Sequence, residues 1–157
     1  MDFNFSEEQL AVSEAASGIL TGLVDADRVR AVEETDDRVD RELWATLAGA
    51  DLLGLAVPIE YGGGGLGLTE LCLLLEAQGQ VVAPVPLWAT LVLGALPLAR
   101  FAPDLAARWL PGVAAGEVFL TAALTGPATS ASGRPVVEAE PDGDGWRLTG
   151  TELAVPQ

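Results

Sequence analysis

Apolar residues recur at helical spacing from the start of the chain. Val12, Ala16, Ile19 and Leu23 lie three or four residues apart, which is the period of one helix face. Ahead of them, Ser6-x-x-Gln9 has the capping-box pattern, in which each side chain satisfies a free amide of the first turn. A helix over residues 6–24 follows. Residues 25–40 are dense in charge and read as an exposed helix end or loop. Asp40 is placed to cap a second helix with Leu43, Trp44 and Leu47 on one face. The apolar run Leu52–Val57 leaves that helix, and Pro58 prevents continuation. Thr69 is expected to cap a third helix over Glu70–Gln78, ended by Gly79. Pro86 suits the first turn of a fourth, Leu87–Ala99. Pro103 starts a short fifth over Asp104–Leu110, stopped by Pro111 and Gly112.

After Gly116 the texture changes. Phe119–Leu124 is extended in character, Val136–Glu140 is a second strand candidate, and Asp142-Gly143-Asp144-Gly145 is a strong turn signal. Trp146–Thr149 follows as a third strand and Glu152–Val155 as the start of a fourth. Helices come first and a meander second. The expected class is therefore α+β in segregated blocks: an all-helical domain over residues 1–115 and a partial antiparallel β domain over 116–157. On this reading the chain stops inside the β domain.

Charge sharpens the division. The 157 residues carry 8 basic and 23 acidic side chains, a net charge of −15 and a pI near 4.1. All the bases are arginine, and lysine and histidine are absent. That excludes histidine triads, histidine metal sites and lysine Schiff bases. It also opposes binding to nucleic-acid backbones or anionic membranes, which need a basic face. The acid is concentrated at both ends, and residues 61–137 are nearly neutral, so the middle should be the most buried part. No residue between Glu76 and Arg100 is charged. A spanning helix needs ~20 predominantly apolar residues, and Gln78, Gly79, Gln80, Pro84, Pro86 and Pro97 interrupt this run. A buried core or interface helix is expected instead. Cys72, set among leucines, reads as a buried small hydrophobe with no base beside it to make it a nucleophile. A single cysteine and a polar, acidic start point to the reducing cytoplasm.

Gly62, Gly64 and Gly67 formally satisfy G-x-G-x-x-G. A dinucleotide fingerprint needs those glycines directly after a strand, with a helix N-terminus facing the pyrophosphate. Here Pro58-Ile59-Glu60-Tyr61 intervenes, so the run is expected to be a flexible loop with positive φ at several positions.

At this loop the residues resemble a known family. Glu42-Leu43-Trp44, the stretch Leu53-Gly54-Leu55-Ala56-Val57-Pro58-Ile59-Glu60-Tyr61 and the glycines after it look like the N-terminal helical domain of acyl-CoA dehydrogenases. Residues 1–9, Gly116-Glu117 and Trp146-Arg147-Leu148-Thr149-Gly150 fit the same order. The resemblance implies FAD held between subunits, a carboxylate base that removes the α-proton of an acyl-CoA, hydride transfer from the β-carbon to the flavin, and electron-transfer flavoprotein as acceptor, all within lipid metabolism. It implies a homo- or hetero-oligomer. It also implies that Ala123 and Leu124 line the flavin and that Thr125 hydrogen-bonds its edge; a plain strand-end turn is the alternative for Thr125. No acid in this chain inherits the base role by motif, and Glu60, Glu70 and Glu76 read as solvated or capping carboxylates. Four positions depart from the family pattern. Gly126 replaces a glutamate, Glu152 replaces a lysine, and Ala154 and Pro156 stand where tryptophan and threonine are usual. A non-catalytic partner subunit of a heteromeric dehydrogenase is therefore a second reading, and an acidic helical binding module a third.

Overall fold

The structure is a computed structural model, and it describes residues 4–124, 137–152 and 155–156. The chain divides into two compact units, Met1–Leu120 and Thr121–Gln157.

The first unit is helical. Helix α1 (Glu7–Leu23) starts at Ser6 with both halves of the capping box formed: Gln9 N donates to Ser6 Oγ at 3.2 Å and Ser6 N donates to Gln9 Oε1 at 3.0 Å. The charged stretch after it contains a helix of its own, α2 (Ala26–Glu33), capped by Asp25 and without a buried residue. Helix α3 (Arg41–Gly49) begins at Asp40 and buries Leu43, Trp44 and Leu47, as the spacing implies. A single 3-10 turn (Ile59–Tyr61) opens the glycine loop.

Helix α4 (Leu68–Val81) begins and ends elsewhere than expected. Its cap is Gly67, not Thr69, because the Glu70 carboxylate reaches back to accept from Gly67 N at 2.8 Å. Gly79 lies inside it, and Val82 ends it in the left-handed region at φ 53°. Next, a π-helical stretch (Trp88–Ala95) runs without a break into α5 (Leu96–Phe101). Helix α6 (Pro103–Ala114) passes through Pro111 and Gly112 rather than stopping there. Proline removes only its own N–H, and one missing bond near a helix end is tolerable when the last turn is packed. Gly116, at φ 76°, makes the actual stop.

The core lies between α1, α3, α4, the π-helical stretch and α6. Leu20, Leu43, Leu47, Leu53, Leu71, Leu74, Leu87 and Leu110 are all fully buried. Cys72 is exposed, contrary to expectation. Helical geometry turns Leu71, Leu74 and Ala77 inward, which puts residue 72 on the outer side. No described helix is long and apolar enough to cross a membrane.

The second unit contains one antiparallel hairpin, β1 (Glu138–Asp142) and β2 (Gly145–Thr149), closed by Gly143-Asp144. The turn signal is thus placed correctly. Residues 119–124 belong to no sheet among the described residues, so the expected first strand is not formed there. The strand expected over 152–155 falls partly outside the described residues. The fold class expected from the order of elements, helices and then antiparallel strands, is the one observed.

Candidate functional site

Two regions could carry function: the glycine loop, and the segment that leaves the helical unit toward Thr125.

The glycine loop is tightly built rather than flexible. Six consecutive amides are spent inside the protein. Gly62 N donates to Ile59 O at 3.0 Å, Gly63 N to Pro58 O at 3.2 Å and Gly64 N to Gly54 O at 2.9 Å. Gly65 N donates to Val57 O at 2.9 Å, Leu66 N to Leu55 O at 2.8 Å and Gly67 N to Glu70 Oε2 at 2.8 Å. A phosphate cradle needs such amides free, so this loop cannot act as one. Positive φ occurs at Gly62 (85°) and Gly65 (66°). Gly63 is required for a different reason: a Cβ there would sit 2.1 Å from Val57 O and 2.6 Å from Gly54 O. An open cleft of about 520 Å³ lies beside the loop, lined by Asp51, Tyr61, Gly62, Gly64, Pro111 and Ala114 among others. Asp51 is the only charged side chain lining it among the described residues. Tyr61 has its phenol pushed up, first by burial and then by the neighbouring Glu60. Among the described residues no cation lines this cleft.

Both helix starts near the loop are tied together. The Glu70 carboxylate accepts from Gln9 Nε2 at 2.8 Å through Oε1 while Oε2 caps α4. Gln9 is itself the capping-box partner of Ser6. The Gln9 hydrogen bond, and then the backbone bonds, hold Glu70 below the usual carboxylate range. Glu70 is therefore a structural carboxylate with both oxygens engaged. It is not available as a base.

The second region starts from Asp40. Its Oδ1 accepts from Leu43 N at 2.9 Å and from Arg28 Nη2 at 2.9 Å, and its Oδ2 pairs with Arg28 Nε. The Arg28 bond is the main cause holding Asp40 below its ordinary range. With α3 so anchored, Trp44 Nε1 donates to Gly116 O at 2.9 Å, and the Trp44 ring stacks on Phe119 with centroids 4.8 Å apart. Arg41 lies 5.4 Å over the opposite partner ring of that stack, Phe119. Gly116 turns the chain back over α6, and Glu117 N and Val118 N both donate to Gly112 O, at 2.8 and 3.1 Å. Leu120 N donates to the hydroxyl of Thr90 at 3.3 Å. Every residue from Gly116 to Leu120 except the ends of the exposed side chains is thus held by α3, α6 or the π-helical stretch.

From there the chain continues to the residues singled out in the sequence. Ala123 and Leu124 are exposed, Leu124 by 64%. Thr121 Oγ1 donates to Pro156 O at 2.5 Å. Thr125, Gly126 and Ala154 lie outside the described residues. Sequence reasoning did not find Thr90, Gly94 or the Trp44–Gly116 bond, since each joins residues 26 to 72 positions apart.

These features coincide with a known family. Residues 6–117 match "Acyl-CoA dehydrogenase, N-terminal domain", and the chain belongs to the acyl-CoA dehydrogenase family. It is 36% identical over 160 residues to acyl-CoA dehydrogenase FadE27 of Mycobacterium tuberculosis, an alignment covering 99% of this chain and 41% of that one. Among solved structures, a variant of the Tcur3481–Tcur3483 steroid ACAD aligns with a TM-score of 0.87 and 49% identity, covering 96% of this chain and 41% of that one. The ChsE4–ChsE5 complex from Mycobacterium tuberculosis aligns with a TM-score of 0.87 and 35% identity, covering 99% and 42%. The chain thus spans about two fifths of the length of these relatives.

Proposed function

We propose that this chain supplies the front part of an FAD-dependent acyl-CoA dehydrogenase. Residues 1–115 are its helical domain and 116–157 the opening of its β domain. Ala123, Leu124 and Thr125 lie at the flavin edge. The observation that carries this reading is the family match over 6–117, followed in sequence by the small and apolar exposed residues Ala123 and Leu124. Those residues fit the rim of a planar aromatic ring: they add no bulk, and Leu124 has its side chain free to lie against it.

In this reading the chain's own contribution is placement. Bound FAD supplies the hydride acceptor. The chain's segment 121–125 orients the ring, Ala123 and Leu124 keep water off its edge, and the Thr125 hydroxyl and amide bond to it. Holding reactants in line is worth several orders of magnitude in rate. No acid of this chain is assigned the α-proton: Glu70 is fully engaged, and Glu60 and Glu76 are solvated at the surface. The base, the acyl-CoA phosphate contacts and the docking of electron-transfer flavoprotein belong to the rest of the family-length site.

A second reading has its own support. Glu152 stands where the family has lysine, and Glu152 Oε2 is buried without a hydrogen-bond partner among the described residues. The similar ChsE4–ChsE5 structure is a two-component complex. On this reading the chain is the non-catalytic partner of a heteromeric dehydrogenase. One preparation separates the readings: the native protein containing this chain, isolated by an N-terminal tag and assayed by acyl-CoA-dependent dye reduction. Turnover that falls at least tenfold in Thr125→Val supports the flavin-edge reading. Turnover insensitive to Ala123, Leu124 and Thr125 replacements supports the partner reading. The 157-residue chain by itself is expected to be inactive, and robust turnover by it alone would sink the assignment of the base elsewhere.

A further inference from the structure

The π-helical stretch serves a purpose that neither the family match nor the flavin reading assigns. π-Helical turns are rare and concentrate at functional positions. This one is eight residues long, and at its end Leu96 N donates to Leu91 O, five residues back. Thr90 and Gly94, four residues apart on it, both meet the same residue, Leu120.

Thr90 is fully buried, so its hydroxyl must find partners inside the protein. Its Oγ1 accepts from Leu120 N at 3.3 Å. Gly94 is buried as well, and a Cβ there would lie 2.3 Å from the Leu120 Cβ and 3.3 Å from its Cδ1. Glycine is, after proline, the least favourable residue in a helix interior. At position 94 it is the residue that leaves space for Leu120. One position grips the Leu120 backbone and the other admits its side chain. Ala123 is three residues further on, within about 10 Å even for fully extended chain.

We propose that Thr90 and Gly94 form a slot that pins Leu120 and so fixes where the flavin-edge segment leaves the helical unit. They are positioning residues for the flavin site, and the inference rests on the flavin-edge reading above. A misplacement of about 1 Å at a reacting centre can cost about a hundredfold in rate, so a residue that fixes the exit of this segment acts on turnover although it touches neither substrate nor cofactor.

The test uses Thr90→Val, Thr90→Ser, Gly94→Ala and the pair Gly94→Ala/Leu120→Gly, with two readouts. In the 15N-labelled chain, loss of the Thr90 acceptor is expected to speed Leu120 amide exchange about 5- to 10-fold, the worth of one net hydrogen bond. Amides of α1 and α4 should keep their rates, and Thr90→Ser should restore the Leu120 rate. Should Gly94→Ala not fold, the Thr90 pair still decides. In the native flavoprotein containing this chain, Thr90→Val and Gly94→Ala are expected to shift the flavin absorption band and to lower kcat more than they change KM. Leu120→Gly should partly reverse the effect of Gly94→Ala. Unchanged Leu120 exchange in Thr90→Val overturns the pin. Faster exchange with an unaltered flavin band and kcat overturns its link to the flavin. A native protein without flavin overturns the functional reading and this link with it, while the exchange readout still separately decides whether the slot exists.

Discussion

Replacing Asp40 by alanine should destabilise the helical unit by about 2–3 kcal/mol. The carboxylate is 5% exposed and does two jobs. It caps α3 through Leu43 N at 2.9 Å, and losing such a cap costs ~1 kcal/mol, more when the abandoned amide is buried as it is here. It also takes a two-pronged bond from Arg28. The Arg28 side chain is 25% exposed, so solvent discounts this pair to ~1 kcal/mol. Asp40→Asn keeps an acceptor for Leu43 N but loses the charge, and should cost about 1 kcal/mol. For a chain of this size, 2–3 kcal/mol lowers Tm by roughly 6–12 °C. The sign of the pH effect follows from the direction of the shift. Asp40 is held below its ordinary range in the folded protein, so its stabilisation is present above the unfolded carboxylate pKa of ~3.9 and fades as pH falls toward the folded value. Urea unfolding followed by far-UV circular dichroism at pH 7 and at stepwise lower pH reads both. Wild type and Asp40→Asn should converge in acid. A loss within 0.5 kcal/mol for Asp40→Ala at pH 7, or an asparagine variant as damaged as the alanine one, would refute the division into cap and ion pair.

Three further substitutions probe the frame of the site. Gly63→Ala forces a methyl against two backbone oxygens and should cost ~3 kcal/mol or more, since backbone cannot move aside as a side chain can; a melting curve unchanged within error would contradict the packed-loop account. Val82→Asn should raise stability by ~0.5–1 kcal/mol, because a β-branched residue at φ 53° carries left-handed strain that asparagine tolerates; a lower midpoint in urea would argue against it. Trp44→Phe keeps a ring on Phe119 but leaves Gly116 O without its donor; a loss of ~1 kcal/mol is expected, together with faster proteolysis between residues 116 and 124.

What was legible in the sequence is what depends on neighbours three or four residues away. Ser6 and Gln9 form their capping box within one turn, and Asp40 caps α3 through Leu43, so both starts could be read directly. The Gly143-Asp144 turn is equally local. Other features depend on distant contacts. The short α2 buries nothing of its own and is tied down by Arg28 reaching Asp40 and Glu42. Thr69 was the expected cap of α4, and the start lies at Gly67 instead because the Glu70 carboxylate, also holding Gln9 of α1, accepts from Gly67 N. Cys72 was misplaced because the leucines on both sides of it obscure the helical phase. Pro111 marks no stop because α6 is finished by Gly116, whose carbonyl is held by Trp44 from 72 residues away. The π-helical register and the Leu120 slot have no local signature at all. Ala123, Leu124 and Thr125 were proposed for the flavin edge through resemblance alone; the structure adds the contacts that hold residues 116–120.

The most direct test of the central claim is hydrogen–deuterium exchange on the native protein containing this chain, compared without and with added FAD. The account predicts that the peptide spanning residues 121–125 gains protection on FAD binding while a peptide from α2, over 26–33, does not. Protection elsewhere with 121–125 unaffected would contradict the assignment of this chain's segment to the flavin edge.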